Sequence, residues 1–149
     1  MAYGYNLNVA QIGQIADASN RIVDSFTAEA AIGFGVPVKR GTEADKEVLT
    51  WAGTIATPML GVSVFTHTQT SGDYPINTVV SVLTSGRVYV RVVDTALTIA
   101  AGESAYVNVV TGSFTNVALN NLPIGKFLSS GSSTPLDALF VIELDPSRI

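Results

Sequence analysis

His67 is the single histidine of the chain, and Ser63, Ser71 and Asp73 stand close to it in sequence, so the parts of a nucleophilic triad can be assembled on paper. In such a triad the imidazole accepts the hydroxyl proton while the carboxylate fixes the imidazole tautomer. The sequence lacks the strained Gly-x-Ser-x-Gly turn that would present the serine, and Ser and Thr are abundant throughout, so a solvated loop histidine is expected. Metal chemistry finds no better footing. One histidine and no cysteine exclude the usual zinc spacings, and no Asp-x-Asp-x-Asp-Gly calcium loop occurs. Gly33-Phe34-Gly35 lacks the third glycine and following helix that cradle a pyrophosphate, and reads as the start of a strand. The sequence therefore predicts no catalytic residue, no cofactor and no metal site. Trp51, Tyr74 and Tyr89 would stack a sugar if a lectin-like sandwich exposed them, although packing is the commoner fate of such rings.

Composition narrows the class further. The 149 residues are one domain's worth, with 47% hydrophobic and only 13% charged residues, against roughly 25% charged in ordinary soluble domains. Mean hydropathy is +0.37. No apolar run approaches the roughly 18 residues of a membrane span, and the N-terminus does not read as a signal peptide, so the excess apolarity is expected to meet other protein subunits. Net charge is −4 with a pI near 4.7, and Lys39-Arg40 is the only adjacent basic pair. Without a basic stripe to neutralise phosphates, neither nucleic acid nor an anionic membrane is an expected partner.

Short Val/Thr-rich runs cut by glycine follow one another from Ile32 onward, without helical periods between them. Strands are expected at Gly33–Lys39, with Pro37 confining it to an edge or a strand start, and at Val48–Trp51 and Gly61–Thr66. His67 to Pro75 reads as a polar loop. Thr78–Leu83 and Arg87–Val93 are read as a hairpin across Thr84-Ser85-Gly86. In its second arm Val88, Val90 and Val92 alternate with Arg87, Tyr89 and Arg91, putting valines inward and the Arg/Tyr face towards solvent or a partner. Ala105–Val110 and Ser113–Val117 form a second hairpin, Pro123–Leu128 and Ala138–Leu144 complete the set, the last with Ala138, Phe140, Ile142 and Leu144 alternating onto one face, and Ser129–Ser133 reads as a flexible loop. The expected fold is all-β, a compact antiparallel barrel or sandwich, occupying residues 32–149.

Residues 1–31 differ. They have no consistent period, with a turn expected at Asp17–Asn20, yet carry bulky apolar residues unsuited to a solvated linker. An extended N-terminal arm lying on another surface satisfies both facts. Tyr3, Tyr5, Ile12, Ile15 and Phe26 are its expected anchors, Gly13 permits a turn or close backbone approach, and Asp17 caps or pairs locally. With Arg87, Tyr89 and Arg91, these are the candidate residues for contact with another protein subunit.

Ala10-Gln-Ile-Gly13-Gln-Ile-Ala-Asp17, Val23-Asp-Ser-Phe-Thr27 and Ile32-Gly-Phe-Gly35-Val-Pro-Val-Lys-Arg-Gly41-Thr42 resemble the opening of the tailed-phage structural cement, or head decoration, proteins. Leu60-Gly61-Val62, Gly86–Val92, Ala101-Gly102-Glu103-Ser-Ala-Tyr-Val107 and Pro123-Ile-Gly125 follow that family's later elements in order; the Ser129–Thr134 stretch departs from the pattern. The resemblance implies a non-enzymatic protein made in the host cytoplasm that binds the outer surface of the virion capsid and bridges neighbouring copies of the major capsid protein. It also implies a homo-oligomer, a homotrimer on local threefold axes being favoured over a dimer. The rival expectation is a carbohydrate- or receptor-binding β module on a phage head or cell surface.

Overall fold

Branched and aromatic side chains pack better on a pleated surface than around a helix, and strands follow wherever the sequence concentrates them. The computed structural model describes residues 11–69, 71–92, 97–133 and 138–145, and no helix occurs among them. Its strands are β1 (Ile15–Ala28), β2 (Ile32–Gly33), β3 (Pro37–Arg40), β4 (Glu47–Thr50), β5 (Gly61–Ser63), β6 (Asp73–Tyr74), β7 (Val79–Val92), β8 (Thr98–Ile99), β9 (Ser104–Val107), β10 (Phe114–Thr115), β11 (Leu122–Phe127), β12 (Gly131–Ser132) and β13 (Ala138–Leu144). The fold is all-β, as expected. Nine strands form one sheet in the order β1-β4-β3-β5-β7-β13-β11-β9-β10, and β1 pairs again with β7, so the first half folds back on the middle of the sheet. Pairings within this sheet are antiparallel except the short β1–β4 contact. Two small ladders, β2–β6 and β8–β12, stand beside it.

The structure corrects the central hairpin. Thr84-Ser85-Gly86 does not reverse the chain: β7 runs unbroken from Val79 to Val92. β13 accompanies it in register from Val92 to Gly86, and β1 pairs along it on the other side. What the glycine does instead is change the strand's phase. Val80 and Val82 point into a core with Ile32, Phe34, Val38 and Tyr74. Leu83, Val88, Val90 and Val92 point into a second core with Trp51, Ile124, Phe127 and Ile142. A regular strand cannot serve both sets, because its alternation is strict. Gly86, at φ 128°, and the register shift opposite Ile22/Val23 provide the irregularity.

Three further readings change. The expected turn at Asp17–Asn20 is an irregular stretch within β1, where the β1–β7 register shifts. The supposedly flexible serine loop is pinned by its own hydroxyls, with Ser129, Ser130 and Ser133 Oγ accepting from the amides of Val141, Ala101 and Leu97. Ser133 is fully buried, and β12 pairs with β8. The polar stretch after His67 likewise contains β6, paired with β2. The second hairpin, β9–β10, and the inward row Phe140, Ile142 and Leu144 on β13 are as expected.

Candidate functional site

Residues 11–28, assigned by sequence to the arm, lie on the body wherever they are described. Gly13 is the fastening point: its N–H donates to the Tyr89 carbonyl at 2.8 Å and its own carbonyl accepts from Phe65 N–H at 2.9 Å. Gly13 and Gly35 both have positive φ and touch backbone to backbone, such that a Cβ on Gly13 would lie 2.6 Å from Gly35 N. Only residues without a Cβ allow that approach. The close backbone approach expected of Gly13 is therefore made within the chain itself.

From this junction β1 lays its first residues along β7. Ile15 is opposite Val88 and Asp17 opposite Arg87, while β13 places Glu143 on the other side of Arg87. One guanidinium thus spans two strands, with Nε 2.9 Å from Glu143 Oε2 and Nη1 3.4 Å from Asp17 Oδ2. Lys126 of β11 pairs in register with Glu143, so charge alternates along the row Asp17, Arg87, Glu143, Lys126. The ion-paired side chains are half exposed, where each pair is worth about 0–1 kcal/mol; their clearer effect is to fix which residues of β1, β7 and β13 stand opposite one another. Asp17 thus makes an ion pair across the sheet. Tyr89 and Arg91 continue the outward row on β7, Arg91 exposed and opposite the part-exposed Leu139.

The expected contact residues therefore divide. Gly13, Ile15, Asp17, Arg87, Tyr89 and Arg91 come together on or beside the β1–β7 pair. Phe26 also stands on that pair, opposite Val80, but its side chain, like that of Ile12, is half-buried against the core that contains Phe34, and Ile15 packs on the other core. These three side chains are committed to their own fold. Arg40 lies over the Phe26 ring, 5.8 Å from its centroid. Tyr3 and Tyr5 lie outside the described residues. Sequence reasoning missed Glu143, which only the register of β13 against β7 brings beside Arg87.

The fragments of chemistry have other occupations. Ser63 Oγ is buried, donating to the Gly33 carbonyl at 2.6 Å and accepting from Val36 N–H. Asp73 accepts from Ser71 Oγ, and the His67 ring meets the Phe65 ring edge-on at 4.7 Å. Trp51 and Tyr74 are each 2% exposed, with Trp51 Nε1 donating to the Thr57 carbonyl and Tyr74 Oη to the Val64 carbonyl. Burial pushes the Tyr74 hydroxyl above its ordinary pKa. Neither ring can stack a sugar. A cleft of about 500 Å³ opens between β1 and β3, lined in part by Asp24, Lys39, Arg40 and Met59; its lysine and arginine already donate to the carbonyls of Ala52 and Ala44.

The sheet folds back on its middle and carries an outward row of alternating charge across β1, β7, β13 and β11. Its fold is shared with proteins of phage heads. A chain in the capsid of Myoviridae phage XM1 superposes with a TM-score of 0.68 at 19% identity, over 97% of this chain and 98% of that one. The N base of head fibre gp8.5 of bacteriophage phi29 superposes with a TM-score of 0.53 at 11% identity, over 87% of this chain and 98% of that one. No curated protein matches the sequence. The chain belongs to the structural cement protein family (E217 gp24/Pam3 gp6), which it matches over residues 1–145. Its role is structural, and its place is the virion capsid.

Proposed function

We propose that this protein binds the outer surface of the phage head, bridges neighbouring major capsid subunits, and performs no chemistry. The observation that carries the reading is the family match over residues 1–145, which runs through β1 and its junction at Gly13 as well as the remainder of the sheet. A ligand that binds only the assembled lattice stabilises it by mass action, by about 2.7 kcal/mol per site at a hundredfold excess over Kd. Repeated contacts on one lattice let individually modest interfaces hold. The protein is made in the host cytoplasm and acts as a homo-oligomer, a trimer on local threefold axes, with a dimer on twofold axes as the competing arrangement.

The test is to titrate purified protein onto expanded heads that lack it, reading copy number per head and the temperature at which heads release DNA. Saturable binding at a fixed ratio with a raised disruption temperature is expected; absence from the sedimented heads at every concentration overturns the reading. Native mass measurement of the free protein separates trimer from dimer.

A further inference from the structure

Between Glu103 and Lys126 the sequence carries no Asp, Glu, Lys or Arg, and this charge-free stretch makes two turns, one joining β9 to β10 and one between β10 and β11. The first is closed by Asn108, whose N–H donates to the Ser113 carbonyl and whose carbonyl accepts from Gly112 N–H at 2.7 Å. Asn108 Oδ1 also accepts from Val110 N–H at 2.9 Å. The second is a turn from Ala118 to Asn121 with Asn120 at φ 60°. Asn121 ties the two together: Oδ1 accepts from Val109 N–H and Nδ2 donates to the Val117 carbonyl. At this shared tip the aliphatic side chains point outward, with Val110 88%, Leu119 79% and Val117 46% exposed.

Side chains of this kind belong in a core unless something outside covers them. Here backbone and asparagine hydrogen bonds tie the two turns to each other and to themselves, so the apolar tip loses little entropy on docking. The three residues offer roughly 300–400 Å² of surface, in the range of patches that mark interaction sites on monomers. Counted over both partners this is about 600–800 Å², below the roughly 1,200 Å² of a stable pairwise interface, so a second copy of this chain held by the tip alone is a poor occupant. A lattice, where avidity multiplies small contacts, suits it. Depletion of charge at the centre of an interface points to the same chemistry on the other side.

We propose that the Val110/Val117/Leu119 tip docks into an uncharged apolar depression on the outer face of the major capsid subunit, a contact separate from the β1–β7 face. This rests on the capsid-binding reading above. Full-length wild type, V110S/L119S and the apolar replacement V110I/L119M are titrated onto expanded heads lacking the protein, with melting and solution mass recorded for each. The expected result is an affinity loss of about tenfold or more for V110S/L119S, unchanged melting and mass, and near wild-type binding by V110I/L119M. Equal binding by V110S/L119S overturns the proposal, as does a lower solution mass, which would make the tip a contact between copies. Binding lost by V110I/L119M to the same degree also overturns it, since apolar character would then not be what the capsid reads. Failure of wild type itself to bind heads overturns the capsid reading together with this one.

Discussion

At the scale of the residue, two glycines separate two costs that are often merged. Gly13 and Gly72 both have φ near 80°, but a Cβ on Gly13 would strike Gly35 N at 2.6 Å while one on Gly72 would meet nothing within 4 Å. Gly72→Ala should cost about 1–2 kcal/mol, the left-handed strain alone. Gly13→Ala adds a backbone collision at the β1–β7 junction and should cost about 3 kcal/mol or more, read as the difference in urea midpoints. The outward and inward rows of β7 give a second contrast. Val90 is fully buried, so Val90→Ala should cost about 1–2.5 kcal/mol, whereas Tyr89→Ala should cost less stability; equal losses in denaturant would show that the two rows do not face opposite ways. Glu29 supplies a pH dependence. Hydrogen bonds from the Thr42 hydroxyl and amide hold its carboxyl below the ordinary value of 4.5. A carboxylate whose pKa is depressed by folding contributes stability above its unfolded value, and that contribution is lost as pH falls through the lower folded value. The melting difference between wild type and Glu29→Gln should therefore be present at neutral pH and vanish well below 4.5, as a pair of thermal melts would show.

At the scale of the element, the alternations of Val88–Val92 and of Phe140, Ile142 and Leu144 were readable from sequence because each strand segment buries a single face. β7 as a whole was not. Thr84-Ser85-Gly86 carries the same local turn chemistry whether the chain reverses or shifts phase, and the choice is made by β1 and β13 lying along both sides, which no local window contains. β1 escaped for a related reason: register shifts interrupt its pairing, and Arg21 to Ser25 are exposed, so no alternation is written into it. The Asp17, Arg87 and Glu143 row was invisible because its members are brought together only by strand order. Two-residue ladders such as β2–β6 and β8–β12 leave no periodic trace at all. Membership of β1 in the sheet has a direct consequence for truncation. Deleting residues 2–30 removes a strand that pairs along β7 from Val79 to Val88, so the product should lose its cooperative thermal transition; a truncated chain that melts like wild type would show that the β1–β7 pairing is dispensable.

At the scale of the whole molecule, the low charge leads to the expectation that contacts with the particle are mainly apolar and backbone-mediated. Exposed ion pairs fade as the Debye length falls to about 3 Å in 1 M salt, while apolar burial does not. Occupancy on heads should therefore be nearly unchanged between 0.1 and 1 M NaCl on the order of these screening lengths, and release at moderate salt with circular dichroism intact would mean that charged rows such as Asp17–Arg87–Glu143 carry the contact instead. The pairing of β1 with β7 also sets a timetable. Ile15 finds its place opposite Val88 and Thr27 opposite Val79, so β1 has no antiparallel partner on β7 until about 50–70 further residues have been made, a delay of roughly 3–15 s at ordinary synthesis rates. During that interval Ile15, Ile22, Val23 and Phe26 travel unpaired, and Asp17, Arg21 and Asp24 set among them act as gatekeepers against premature association. Asp17, which joins Arg87 in the finished sheet, is thus also one of the charges that guard the nascent strand while it waits.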